Sequence, residues 1–184
     1  MTKRDYENLF DKIKPDFFNR DYIRNRSDDS VFEEMILSLK DFDIGKYSKS
    51  FGPEISFGYF DGDLADLKNQ VKKVDESWTE FFDGSQKIFC GYIDGKVASF
   101  CLIEDFGTFE FDGKMAKFGG PGCVGTVPEF RSNGIGLTMV NRATQILKEL
   151  GYDYSYIHYT GVAGWYAKLG YQTILKWNRN GFVS

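Results

Sequence analysis

The order of apolar patterns along the chain predicts an α/β fold in which helices lie against a mixed, mostly antiparallel sheet. Three observations carry this. Two Asp-Gly pairs, Asp94-Gly95 and Asp112-Gly113, each sit between apolar runs, and such pairs suit two-residue hairpin turns because both positions tolerate positive φ. A long amphipathic pattern sets Met139, Val140, Ala143, Ile146, Leu147 and Leu150 on one face and stops at Gly151, which supplies a left-handed C-cap. Around these, the elements follow the order strand, helix, antiparallel strands, helix, strand, helix, strand, which is not a doubly wound repeat.

Residues 1–50 read as an N-terminal helical extension packed on a core of residues 51–184, the whole forming one domain. "RDYENLFDKI" spaces Tyr6, Leu9, Phe10 and Ile13 helically until Pro15 stops it, and "SVFEEMILSLK" carries Ser30 and Glu33 as a capping box before Met35, Ile36 and Leu39. Two or three short helices are expected there, with "KYSKSFGPE" as the boundary. "DFDIG" opens like a calcium loop but lacks the closing acid, so a plain turn is the expectation. In the core, "EISFGYF" alternates as a strand, and Leu64, Leu67, Val71, Val74, Trp78 and Phe81 share one face of a following helix. "KIFCGYIDGKVASFCLIE" and "GTFEFDGKMAKFGGPGCVGTV" are the two hairpins. After the long helix come a strand "YDYSYIHY", a short helix "GVAGWYAKLG" closed by Gly170, and a last strand "YQTILKW".

Composition narrows the function. A chain of 184 residues with 42% hydrophobic and 27% charged content can bury one sizeable core. There is no signal-peptide block and no run near the ~20 apolar residues of a membrane span, so a cytoplasmic protein without membrane association is expected. Cys90, Cys101 and Cys123 are scattered and the chain has one histidine, which disfavours a metal site. A net charge of -4 with intermixed signs offers no basic stripe for nucleic acid and suits a cationic small molecule.

The informative stretch is "VPEFRSNGIG", an R-x-x-G-x-G turn between an apolar run and the long helix. A helix beginning at Gly134 has unpaired first-turn N–H groups and the positive end of its macrodipole there. Gly134 and Gly136 let a pyrophosphate approach the backbone, and Arg131 adds a charged partner. On spacing alone, a turn in which glycine merely relieves strain fits as well. A P-loop lacks its Lys-Ser/Thr here, and a Rossmann turn lacks its third glycine and ribose-binding acid.

"VGTVPEFRSNGIGLTMVNRA" followed by "GWYAKLGYQ" resembles the GNAT superfamily of N-acetyltransferases, over roughly residues 54 to 178. The resemblance implies a twisted sheet with a splayed central strand pair and acetyl-CoA as cosubstrate, with no metal. It assigns Arg131, Ser132, Asn133, Gly134, Ile135 and Gly136 to the pyrophosphate loop, with Thr138 near a phosphate, and lays Val124, Gly125 and Thr126 beside the pantetheine arm. An amide near Thr126 would hold the thioester oxygen, and Tyr166 would protonate the departing thiolate. Gly122, Gly125 and Pro128 stand where a bulged strand is cheap.

Competing readings stand beside these. Tyr166 also fits a helix packed on the sheet, and Trp165 reads as structural. His158 has two roles open to it, a base facing the acceptor and an imidazole satisfied by local bonds. Cys123 has no histidine beside it and reads as core. Glu104, Asp105, Glu110 and Glu129 compete as acceptor bases. Tyr159 and Val162 stand where many family members have Asn and Ala, which puts one cofactor contact in doubt. The expected activity is acetyl transfer to a primary amine, small molecule or peptide, by direct attack; the alternatives are a non-catalytic acyl-CoA-binding module and, in a third class, a nucleotide-binding domain. The leader, rich in Phe17, Phe18, Tyr22 and Phe32, fits a cap on the acceptor side or a homodimer contact.

Overall fold

The computed structural model describes residues 1–183. The chain runs α1 (Lys3–Ile13), α2 (Asp21–Arg24), β1 (Phe32–Ser38), β2 (Ile55–Tyr59), α3 (Leu64–Lys72), β3 (Lys87–Ile93), β4 (Lys96–Phe111), β5 (Lys114–Thr126), α4 (Ile135–Glu149), β6 (Tyr154–Thr160), α5 (Ala163–Tyr166), β7 (Gln172–Asn178) and β8 (Gly181–Val183). Among the described residues the strands form one sheet in the order β2-β3-β4-β5-β6-β1-β7-β8. Every neighbouring pair is antiparallel except β5 with β6. No helix among the described residues is long and apolar enough to cross a membrane.

Local chemistry accounts for the predicted helices. Thr2 and Asp5 close a reciprocal capping box at the start of α1. Gly151, at φ 78°, follows the end of α4, and Gly170, at φ 97°, closes the turn after α5. The hairpin turns place Asp94, Gly95, Asp112 and Gly113 at positive φ, as two-residue turns of this type demand. The helix over residues 64–81 is shorter than its apolar face suggests. It ends at Lys72, and Asp75 then caps a separate 3-10 turn by accepting the Ser77 N–H at 2.9 Å.

The leader corrects the sequence reading. "SVFEEMILSLK" is not a helix, and residues 1–50 are not a purely helical extension: Phe32–Ser38 is strand β1, inserted between β6 and β7. Glu34, Met35 and Ile36 are all buried because both faces of this strand are covered. A strand buried on both sides reads as a continuous apolar run, which periodicity does not separate from a helix. The apparent capping box has other partners, since the Ser30 N–H donates to Asp28 and Glu33 accepts from Thr173 on β7. Strand β8 had no sequence signal.

The two faces of the sheet carry different helices. On one, α4 and α5 pack over Met35, Cys101, Ile103 and Ile157. On the other, α3 covers Ile88, Cys90, Phe100 and Leu102, and α1 covers Ile36, Phe118 and Tyr156. Beyond α1 the leader's aromatics make one cluster: Phe17 meets Trp177 edge-on at 4.8 Å and Phe10 at 5.3 Å.

Three structural features shape the middle of the sheet. First, β5 and β6 pair only at Phe118↔Tyr154 and Gly119↔Ser155. Gly120 packs so closely on the Tyr156 carbonyl that a Cβ there would collide, and past this contact the strands lose their pairing. Second, β5 bulges against β4: Phe100 pairs with Gly125 but Leu102 with Gly122, leaving Cys123 and Val124 opposite Cys101, with Cys123 at φ 45°. Third, the connection from β1 to β2 runs along α4. Lys148 Nζ donates to the Phe42 carbonyl at 2.6 Å, and Asn141 Nδ2 donates to the carbonyls of Ile44 and Tyr47 at 2.9 and 3.0 Å. A buried hydroxyl chain closes the apex of the divergence: the Tyr171 hydroxyl bonds Thr144 on α4 at 2.8 Å and Ser155 on β6 at 2.7 Å.

Because β1 is interior, a chain lacking residues 1–38 is expected to lose cooperative unfolding in a urea titration. Ile36→Ala, which only opens a cavity, should keep it and lose about 2–5 kcal/mol. A truncated chain with a sharp, native-like transition would contradict this placement.

Candidate active site

The R-x-x-G-x-G turn stands where the sequence placed it, between β5 and α4. Gly134 is the N-cap of α4 at φ 83°, and Ser132 is also left-handed at φ 68°. In the first turn the Ile135 N–H is taken by Asn133 Oδ1 at 3.0 Å and the Thr138 N–H by the Gly134 carbonyl at 3.1 Å. The amides between them, Gly136 and Leu137, carry the free positive end of the helix. Arg131 is exposed and donates Nε–H to the Thr126 carbonyl at 3.1 Å, which ties the loop to the last residue of β5. At Gly136 any side chain would strike the Thr126 hydroxyl, so glycine is what lets α4 begin this close to the strand.

Two predicted loop residues face inward. Ile135 is fully buried and offers only its backbone, and Thr138 is 7% exposed with its hydroxyl buried and unpartnered among the described residues. Thr138 therefore lies beneath the loop and not on its rim. Ser99, opposite Thr126 on β4, has a second buried hydroxyl without a partner among the described residues. The structure adds a cation that the sequence did not reveal. The Lys49 side chain lies over Gly134, its Cδ and Nζ 2.7 and 2.9 Å from where a Cβ would stand. Its chain is delivered there by the Asn141 bonds to residues 44 and 47.

The β5 edge facing the divergence has no strand partner beyond Gly119. The Val127 N–H bonds the Ala98 carbonyl on β4, so strand alternation turns the Thr126 N–H and carbonyl to the opposite, open edge. Gly125 lies between this amide and the bulge at Cys123–Val124. Across the mouth stands α5. Trp165 reaches within 3.5 Å of a Cβ position on Gly136, and Tyr166, 6% exposed, packs against Trp165 with ring centroids 4.9 Å apart. Burial, then the neighbouring Tyr171 and Cys101, raises the Tyr166 phenol above its ordinary value of 10.0. It keeps its proton at neutral pH.

The candidate bases separate by position. Glu129 is exposed and paired to Lys73 at 2.8 Å, Asp105 caps the Gly107 N–H at 2.9 Å, and Glu110 is exposed near the hairpin end. Glu104 lies across Gly122 at the divergence. The Cys123 thiol is pushed up to about 12 by burial and is no nucleophile at neutral pH. His158 is held by Glu34 on β1, with Nδ1 3.0 Å from both carboxylate oxygens. Tyr159 takes φ 58° and turns into the aromatic cluster against Phe32 and Trp177. A cavity of about 510 Å³ lined by Tyr59, Phe60, Leu64 and Ile88 opens at the β2–β3 edge, away from these groups.

Comparison with known proteins agrees with this geometry. The model of the acetyltransferase (GNAT) family matches residues 55–171. A GCN5-related glucosamine N-acetyltransferase region of a fungal multi-domain GH3 β-N-acetylglucosaminidase superposes with a TM-score of 0.68 at 21% identity, over 83% of this chain and 21% of that one. GCN5-related N-acetyltransferases of Kribbella flavida and Sphaerobacter thermophilus give TM-scores of 0.55 and 0.56 at 17% and 15% identity, over 80% and 82% of this chain. The chain spans 56% and 50% of those two proteins, and at these identities the likeness is one of fold. No curated protein matches the chain in sequence. With the family model covering more than half of its length, the chain belongs to the GNAT family of acetyltransferases, which generally draw their acetyl group from acetyl-CoA.

Proposed function

We propose that this protein transfers an acetyl group from acetyl-CoA to a primary amine by direct attack, without an acyl-enzyme. The carrying observation is the early divergence of β5 from β6, which leaves a strand edge without a strand partner beside a helix N-terminus. When bound, acetyl-CoA supplies the activated thioester. Arg131, Lys49 and the free amides of Gly136 and Leu137 match a diphosphate in charge and donor count. Ser132, Asn133 and Gly134 shape the loop that presents them, and Ile135 and Thr138 support it from beneath. Val124, Gly125 and Thr126 offer an extended edge to the amides of a pantetheine arm, as an added strand would pair. The Thr126 N–H is aimed where negative charge develops on the thioester oxygen. Tyr166, buried and neutral, donates a proton to the leaving thiolate. The acceptor is a small-molecule or peptide amine. The fungal relative's glucosamine N-acetyltransferase region makes glucosamine a first compound to try.

Two tests address separate parts. In calorimetry with acetyl-CoA, Gly136→Val should abolish binding through its clash with Thr126. Lys49→Ala should weaken it about 10-fold, with a shallower salt dependence, as expected for loss of one charge-assisted contact. Unchanged affinity in both would remove the loop from the binding site. In turnover measured by release of CoA thiol, Tyr166→Phe should lower kcat about 100-fold with cofactor affinity little changed. Since the folded phenol is raised above 10.0, its proton is kept as pH climbs through neutrality, so no alkaline limb below pH ~10 should arise from Tyr166. A variant with full turnover would exclude Tyr166 as the acid.

A further inference from the structure

The divergence has two walls, and the second is built with the leader. Past Gly119↔Ser155 the two strands diverge, and β6 carries His158 three residues beyond that last pairing, on the wall opposite the open β5 edge. His158 thus belongs to the β6 wall of the divergence, across the opening from the β5 strand that carries the proposed thioester site. Its side chain projects from the face that α1 covers, edge-on to Phe17 at 4.8 Å, and remains 15% exposed. Beneath it lies Glu34, which is fully buried. That carboxylate accepts from His158 Nδ1 at 3.0 Å, from the Tyr159 N–H at 3.1 Å and from Trp177 Nε1 at 2.7 Å.

We infer that this pair is the proton acceptor of the reaction: His158 is the catalytic base that takes the acceptor's ammonium proton, and Glu34 is its positioning residue. The assignment rests on the proposed transferase activity and extends it. With Nδ1–H donated to Glu34, the neutral ring carries its free lone pair on Nε2, directed away from β1. As Nε2 takes a proton, the imidazolium is compensated by a carboxylate already fixed in place. The carboxylate satisfies the buried Trp177 Nε1–H and the Tyr159 N–H and, through the same oxygens, fixes the orientation of the imidazole. Geometry favours the imidazole over Glu104, because the bond to Glu34 fixes the ring's orientation. The groups facing His158 are Glu34 from β1, Tyr156 and Tyr159 from β6, Trp177 from β7, and the uncharged rings of Phe10 and Phe17 from α1 and the turn after it; Arg26 lies behind Tyr159, bonded to its hydroxyl. The Tyr156 hydroxyl on the same wall is buried beside that carboxylate.

The protons balance. His158 removes one from the ammonium and frees the nitrogen lone pair. The carbon–nitrogen bond forms as the carbon–sulfur bond breaks; the nitrogen gives up its second proton to solvent, and the thiolate gains one through Tyr166, which solvent reprotonates. His158 then releases its proton, so each amide formed yields one thiol and one proton.

The chain holds a single histidine, so its imidazole resonance can be followed alone by NMR in the unaltered protein. Glucosamine, spermidine and a glycine tripeptide, each with acetyl-CoA, serve as probes, and thiol release gives kcat/KM against pH for the best of them. The NMR titration midpoint of His158 and the acid limb of kcat/KM should coincide. His158→Gln should lose that limb and about 100-fold or more of kcat at neutral pH, with acetyl-CoA affinity unchanged, and recover at alkaline pH, where the amine is already free. Glu34→Gln should move the midpoint and the limb together. A limb that does not follow the His158 resonance overturns the assignment, even if the variants fail to fold. So does a limb that survives in His158→Gln or vanishes in Glu104→Gln. Should none of the probes be acetylated while acetyl-CoA still binds, the transferase reading falls, and the base assignment with it.

Discussion

The site depends on one interruption of backbone pairing: β5 and β6 bond at two residues and then separate. A buried backbone group left without a partner is costly, so a sheet opened in its middle must satisfy or solvate both exposed edges. The apex is held by close contact at Gly120 and by the Thr144–Tyr171–Ser155 hydroxyl chain, which clamps α4, β6 and the start of β7 together. Further out, the bulge at Cys123–Val124 bends β5 while its other edge stays on β4. The opening is thus rigid at its vertex and lined by backbone along one side.

One segment furnishes much of what surrounds that opening. β1 completes the sheet beside β6 and carries Glu34 under His158. The chain then runs beside α4 from Lys148 back to Gly134, so that Lys49 arrives at the helix N-terminus. Residues that look like an appendage therefore contribute to both walls: a carboxylate on the side proposed for the acceptor and an ammonium on the side proposed for the phosphates. Packing on the two faces couples them, because α1 and its aromatic cluster hold β1 from one side while Met35 joins α4 and α5 on the other.

The parts legible in the sequence were those with local rules. Asp-Gly turns, the glycine stops after α4 and α5, and the glycine turn before α4 each have a conformational cause within a few residues. The bulge was foreshadowed by Gly122 and Gly125. What stayed hidden was long-range. Whether "VFEEMILS" is a helix or a doubly buried strand is decided by neighbours more than 100 residues away, Tyr156 and Thr173 among them. The Glu34–His158 bond spans the same separation, and Lys49 reaches Gly134 only because Asn141 ties down the intervening loop. The burial of the Thr138 side chain stayed hidden for a simpler reason: first-turn position says nothing about which side of the helix is buried.

A structure of the protein with acetyl-CoA is the most direct measurement. The pantetheine amides should bond the open β5 edge between Val124 and Thr126, the diphosphate should sit on the α4 N-terminus, and the thioester should face His158 across the gap. Cofactor density elsewhere, or a gap zipped shut by β5–β6 pairing beyond Gly119, would contradict the proposed site.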